Sequence, residues 1–247
     1  MYDRHETKGF GPKRAVILAG GTGTRLRPYT VVLPKPLMPV GDYPVLEVIV
    51  RQLARHRFER ITMAVNHQAN LIKAFFSDGA RWDVCIDYSL ESEPLSTIAP
   101  LTLIPDLPEH FLLMNGDVLT DLDFSAFWDQ HVSRDRGFTI AAASRQATTE
   151  YGVLHIDRDF RLTGFEEKPE TEYLVSMGIY MVSRRLLARI PDGKRYGFDD
   201  LMRDLLKDGQ VVDVALHSGY WLDIGRPDDY QKAIDDFEKG MQERLLR

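Results

Sequence analysis

The chain has 247 residues, 44 % of them hydrophobic, enough for one large α/β domain or two small ones around a substantial core. Its formal net charge of −6, with acidic and basic residues interspersed, argues against a nucleic-acid partner, whose binding surface carries a basic excess. A single cysteine rules out an internal disulfide framework, and neither an apolar leader nor a run of membrane-spanning length occurs, so the expected setting is the cytoplasm without a membrane partner.

Residues 1–13 are polar with two glycines and a proline and read as a flexible leader; residues 14–247 read as one domain. "RAVILA" (14–19) is a short apolar run rich in β-formers, a buried first strand. "PVLEVIVRQLARH" (44–56) is a helix with Val45, Leu46, Ile49, Val50 and Leu53 on one face. Glu47, Arg51 and Arg55 fall on the other, and Pro44 suits the first turn. "RITMAVN" (60–66) is the second strand, "QANLIKAFF" (68–76) a helix, and "WDVCIDYS" (82–89) the third strand, with Cys85 expected in the core. "HFLLMNGD" (110–117) is another buried strand, followed by a helix from Phe124.

Strands thus alternate with helices to about residue 135, the pattern of a mainly parallel sheet. Beyond it "GFTIAAAS", "YGVLHID", "RLTGFEE" and "YLVSMGIYMVS" are strands joined by short turns, which implies antiparallel additions. Two helical segments, then "VVDVALHS" and "GYWLDIG", precede a last helix with Tyr230, Ala233, Ile234, Phe237 and Met241 on one face. No internal repeat occurs, and in particular no hexapeptide array of the β-helix type.

The loop after the first strand, "LAGGTGTRLRPYTVVLPKP" (18–36), concentrates the chemistry. Gly20, Gly21 and Gly23 let the backbone approach a ligand and adopt positive φ, and successive N–H groups in such a turn form an anion-binding nest. Arg25 and Lys35 add full positive charge, one as a fork and one as a point charge. No lysine follows the glycines as in a Walker A loop. The third glycine of a dinucleotide-binding G-x-G-x-x-G is replaced by Leu26.

"LAGGTGTRLRPYTVVLPKPLMPVGDYPVLE" resembles the signature of the sugar-1-phosphate nucleotidylyltransferases, the NDP-sugar pyrophosphorylases. The likeness continues through "EPLSTIAPL", "LLMNGDVLTD", "YGVLHID", "GFEEKP", "SMGIY" and "WLDIGRPDDY", over most of residues 14 to 238. Within the family it is closest to mannose-1-phosphate guanylyltransferase-like enzymes, without their C-terminal β-helix. The resemblance implies a Rossmann-like three-layer sandwich of the GT-A type. It also implies a reaction in which a nucleoside triphosphate and a sugar 1-phosphate give an NDP-sugar and pyrophosphate.

It further implies site residues. Leu18, Ala19, Gly20, Gly21, Gly23, Thr24, Arg25 and Lys35 would hold the nucleotide, with Glu91 and Ser96 at the base. Asp117 and Asp223 would hold Mg²⁺, whose remaining ligands are water and substrate phosphates. Gly152, Glu167, Lys168 and Gly178 would hold the sugar phosphate, Lys168 in an extended backbone before its proline.

The segment around Glu91 departs from the family pattern: Ser96 and Ile98 replace a glycine and an alanine, which would narrow the base pocket. Glu91 either faces the base or is a solvated loop acid. If it faces the base, GTP is favoured, because a carboxylate accepts side by side from the N1–H and N2–H₂ of guanine. Two rival readings stand beside this one: a GT-A glycosyltransferase using Asp121 and Asp123 as a D-x-D metal motif, and a non-catalytic nucleotide-sugar sensor. The sugar and the oligomeric state are left open, a homo-oligomer included.

Overall fold

The computed structural model describes residues 12–21, 23–66 and 69–246; the expected leader, apart from its last two residues, and His67 lie outside them. The central sheet has seven strands. In chain order they are β1 (Lys13–Leu18), β4 (Phe58–Val65), β5 (Cys85–Leu90), β6 (His110–Asn115), β8 (Phe138–Thr148), β11 (Glu170–Ser183) and β12 (Asp213–His217). Three two-stranded ladders complete the strands: β2 (Pro39–Val40) with β3 (Tyr43–Pro44), β7 (Val118–Thr120) with β13 (Trp221–Asp223), and β9 (Val153–Ile156) with β10 (Leu162–Glu166).

The sheet order is β12-β8-β11-β6-β1-β4-β5. Parallel pairing joins β1 to both β4 and β6, β4 to β5, and β8 to β12; β11 alone runs antiparallel to its neighbours β6 and β8. The antiparallel addition within the main sheet is therefore one strand, inserted between parallel blocks.

Successive residues of a strand face opposite sides, and here both sides are covered. Ala15 and Ile17 of β1 join Leu112 and Met114 of β6 in one core. That core also takes side chains from α1 (Val45–Arg55), α2 (Ala69–Phe76) and α3 (Phe124–Ser133). Val16, Phe111 and Leu113 point into a second core with Leu201 and Leu205 of α4 (Phe198–Lys207). This is a three-layer Rossmann-like sandwich of the GT-A type. It explains why the central strands read as unbroken apolar runs rather than alternating ones.

Four local expectations are corrected. Cys85 is exposed, because the inward positions of that stretch are Trp82, Val84 and Ile86 and the cysteine takes the opposite side. Glu47 is buried on α1, where it accepts from Arg51 Nε at 2.9 Å and from Trp82 Nε1 at 3.2 Å. A carboxylate so paired can be enclosed without leaving an uncompensated charge. The last helix is broken: α5 (Pro227–Asp236) passes through a wide turn, with Gly240 at φ 99°, into α6 (Gln242–Leu246). Lys168 has φ 45° rather than an extended backbone, because the chain reverses there from β10 to β11.

β8 and β11 are longer than the rest of the sheet, and their paired ends, with the β9–β10 ladder, form an exposed arm. At the base of the arm the β8–β11 register shifts between Ser176 and Tyr180, around Gly178. Among the described residues no helix is long and apolar enough to cross a membrane.

Candidate active site

The carboxyl ends of the parallel strands meet at one cavity of about 330 Å³. Leu18 ends β1, Val65 ends β4 and Asn115 ends β6, and all three line it. This is where open α/β sheets bind ligands. Of the residues expected to hold the nucleotide, Leu18, Gly20, Gly21, Lys35, Glu91 and Ser96 line the cavity, as does Asp117.

Ala19, Gly23, Thr24 and Arg25 do not line it. Ala19 is buried beneath the loop, and Gly23 takes φ 60° to start the short 3₁₀ turn Thr24–Leu26. Gly20 and Gly21, by contrast, have no positive φ, so the left-handed backbone expected of all three glycines is found only at Gly23. Arg25 stands beside the Asp223–Gly225 segment: a Cβ on Gly225 would lie 3.3 Å from its Nη2.

Asp117 and Asp223 are 106 positions apart, yet two ladders bring them together. Gly116 donates to Leu18 O at 2.9 Å, tying the end of β6 to the end of β1. A Cβ there would meet that oxygen at 3.1 Å, so any side chain would press on the end of β1. The chain then enters β7, whose Val118 is registered with Asp223 of β13, and Ile224 N donates to Asp117 O at 3.1 Å.

Lys35, 7 % exposed in a 3₁₀ turn between two prolines, bonds through Nζ to Asp117 Oδ2 and lies 3.8 Å from Asp223 Oδ1. Asp117 Oδ1 and Asp223 Oδ1 are buried with no hydrogen-bond partner. Burial, reinforced by the charge of Asp117, pushes the Asp223 carboxyl up; Lys35, the Gly225 N–H and Arg25 oppose the shift.

Glu91, which also lines the cavity, continues from β5 with its N–H on Val65 O at 2.9 Å. Burial raises its pKa, against a hydrogen bond from the Leu95 backbone and the charge of Arg195. Ser96 adopts φ 77°, the left-handed conformation a glycine would take, and so keeps the loop shape without one. Ile98 is 2 % exposed and packs in the second core; it does not narrow the cavity.

The expected sugar-phosphate residues are less concentrated. Gly178 abuts the cavity wall, since its Cβ would meet Asn115 Nδ2 at 2.6 Å. Gly152 lies beside Glu167, whose Oε2 is 3.2 Å from the position of an added Cβ, and both belong to the exposed arm. Lys168 is exposed on the same arm and does not line the cavity.

Among the cavity residues missed in the sequence are Asn115 and Arg195. Asn115 directly precedes Gly116 and Asp117, and that adjacency could have found it. Arg195 sits in "DGKRYG", a plain turn composition with no signal of its own.

A parallel sheet with its cavity at the strand carboxyl ends, a glycine-rich first loop, a buried lysine and two converging carboxylates define an α/β protein of the Rossmann-like GT-A class. The chain belongs to the nucleotidyl transferase family, whose family model matches residues 14–240. It is 32 % identical over 241 residues to a UTP–glucose-1-phosphate uridylyltransferase of Synechocystis sp., covering 90 % of this chain and 62 % of that protein. It is 29 % identical to a mannose-1-phosphate guanylyltransferase of Mycobacterium tuberculosis, covering 92 % and 65 %. The chain thus spans a little under two thirds of the length of these curated relatives. Among solved structures it resembles HddC from Yersinia pseudotuberculosis, at a TM-score of 0.71 and 27 % identity, over 91 % of this chain and 99 % of that one. HddC has also been solved in complex with GMP-PN.

Proposed function

We propose that residues 14–247 form a single catalytic domain that transfers a nucleoside monophosphate from a nucleoside triphosphate, GTP by preference, to a sugar 1-phosphate, releasing pyrophosphate. The observation that carries this reading is the convergence of Lys35, Asp117 and Asp223, the first two lining a cavity together with Gly20 and Gly21 of the glycine loop. The curated relatives include both a uridylyltransferase and a guanylyltransferase, so the base preference rests on Glu91 and on the GMP-PN complex of HddC.

The residues fit a divalent ion. Two carboxylate oxygens, Asp117 Oδ1 and Asp223 Oδ1, are buried without partners, and hard oxygen donors suit Mg²⁺. Among the described residues no cluster of three or more His, Cys, Asp or Glu could hold a metal, so this would be a two-carboxylate site completed by water and phosphate. When bound, Mg²⁺ would supply charge neutralisation at the phosphates.

The chain's own groups do the rest. Amides of the 20–21 backbone and the Lys35 ammonium face the phosphates from one side, and Arg25 stands at the Asp223 side. They lower the repulsion between two polyanions and hold the sugar phosphate in line with the α-phosphorus. A phosphate oxygen of the acceptor forms the new P–O bond as the bond from the α-phosphorus to the β-phosphate's bridging oxygen breaks. No general base is required, because a phosphate monoester with its second pKa near ~6 is mostly dianionic at neutral pH.

The glycosyltransferase alternative loses its D-x-D motif to structure. Asp123 Oδ1 accepts from Ser125 N and Ala126 N, both at 2.9 Å, as the N-cap of α3. Asp121 is taken by Arg244 and by His217 Nε2 at 2.9 Å. The sensor reading has no damaged residue among Arg25, Lys35, Asp117 and Asp223 to support it.

The test is a matrix of five nucleoside triphosphates against a panel of sugar 1-phosphates with Mg²⁺, read as pyrophosphate. The expected result is release in the GTP row. A blank matrix from folded protein overturns the reading in favour of a sensor, and release of nucleoside diphosphate from an NDP-sugar favours the glycosyltransferase.

A further inference from the structure

We infer that Arg195 is a base-specificity residue: with Glu91 it reads two adjacent edges of guanine, Arg195 donating to O6 and N7 while Glu91 accepts from N1–H and N2–H₂. The inference rests on the proposed use of a nucleoside triphosphate and extends it to the group that selects the base.

Arg195 lines the same cavity as Glu91, and its positive charge acts on that carboxylate. Yet it makes no ion pair or hydrogen bond with any described residue, Glu91 included. A guanidinium has five N–H donors in a fixed fork, and Arg195 brings them to the lining of the cavity. Its placement is set by backbone, not by chance of the side chain. Tyr196 N donates to Leu95 O at 3.1 Å, and Tyr196 O accepts from Ile98 N at 3.1 Å and Ala99 N at 3.0 Å. Phe198 N donates to Thr97 Oγ1 at 2.8 Å. The turn that carries Arg195 is strapped to the loop that follows Glu91.

An acceptor-only group and a donor-only group in one pocket impose a pattern. Guanine alone presents adjacent donors at N1 and N2 and adjacent acceptors at O6 and N7. Adenine would set its N6 amino group against the arginine and its N1 acceptor against the glutamate. Cytosine, uracil and thymine would each turn at least one carbonyl oxygen toward the carboxylate. A bidentate arginine–guanine pair discriminates by ~1–3 kcal/mol, which is roughly five- to 150-fold in affinity.

The experiment measures KM and kcat for GTP, ITP, which lacks the N2 amino group, and 7-deaza-GTP, which lacks the N7 acceptor, in the wild-type chain, Arg195→Ala and Glu91→Gln. In the wild type each analogue is expected to raise KM about tenfold or more. Arg195→Ala should abolish the 7-deaza penalty and keep the ITP penalty, and Glu91→Gln should do the reverse. A 7-deaza penalty that persists in Arg195→Ala overturns the role of Arg195 and leaves the GTP reading intact. Arg195→Ala losing all triphosphates equally makes the residue a phosphate contact and likewise overturns it. A wild-type preference for UTP or dTTP over GTP overturns the guanine reading itself, and the pairing of edges with it. The wild-type analogue series needs no variant to fold, so the pairing is testable in either case.

Discussion

Lys35 occupies an unusual position for a lysine: nearly buried, between two carboxylates, in a turn that flanking prolines hold stiff. Its ammonium is the cationic group that both Asp117 and Asp223 share. Removing it should leave two like charges facing each other and the phosphates unneutralised. Lys35→Ala is expected to lower turnover by about 10²–10³, the cost of losing one preorganised contact to transition-state charge. Arg25→Ala should fall in the same range. Pyrophosphate release, alongside circular dichroism to establish folding, checks both; near-wild-type turnover would remove that residue from the mechanism.

Among the short elements, the β7–β13 ladder matters most, because it converts a sequence separation of 106 residues into one carboxylate pair. The helix that follows β7 starts on Asp123, whose side chain satisfies two N–H groups of the first turn. Asp123→Ala should therefore destabilise the fold by about 1 kcal/mol, the usual worth of an N-cap, with little change in metal-dependent turnover. Urea denaturation and a Mg²⁺ titration of activity read the two effects separately; a large shift in Mg²⁺ dependence would return Asp123 to the metal. The irregularity at Ser176–Tyr180 is the other element with a function to serve. Gly178 has φ 73° and presses on Asn115 of the cavity wall, where a side chain has no room. Gly178→Ala is expected to destabilise by about 1–2 kcal/mol, the cost of the left-handed backbone, and to raise the KM for the sugar phosphate. Denaturation and steady-state kinetics check it.

At the level of the whole molecule, a buried polar chain crosses from α3 to the sheet. His131, fully buried, bonds through Nδ1 to Thr139 Oγ1 at 2.8 Å and approaches His110 Nδ1 through Nε2 at 3.2 Å. Burial foremost, then the charges of His110 and Arg185, lowers its pKa to about 4. The folded state thus holds the ring neutral, whereas the unfolded chain takes up a proton near the ordinary value of about 6.5. Its stabilising contribution is complete above that value and is lost as pH falls from there toward 4. Stability should drop by on the order of 2–3 kcal/mol across this window. His131→Gln should flatten that segment of the curve, measured by denaturant unfolding between pH 7 and pH 4. The C-terminal helices act at the same scale. Tyr230 Oη donates to Pro39 O at 2.7 Å, Gln242 Nε2 to Asp42 Oδ2 at 3.2 Å, and Arg244 pairs with Asp121. The end of the chain so braces both the loop that bears Lys35 and the segment that follows Asp117.

The linear chain by itself determined the layer architecture, because an unbroken apolar strand such as Arg14–Ala19 is stable only when both faces are covered, and the spacing of Val45, Leu46, Ile49 and Leu53 admits one covered helix face. It also marked Lys35 and the glycine loop, whose residue types have few other uses in that order, and Asp117 through the family resemblance. Tertiary structure decided the rest. Glu47 is buried since Arg51 and Trp82 reach it, Cys85 is outside since strand alternation turns it there, and Ser96 stands in for a glycine since the loop requires its φ. Arg195 joins the cavity through backbone hydrogen bonds between segments about 100 residues apart. Such contacts depend on the packing of distant elements, which no local pattern of residues encodes.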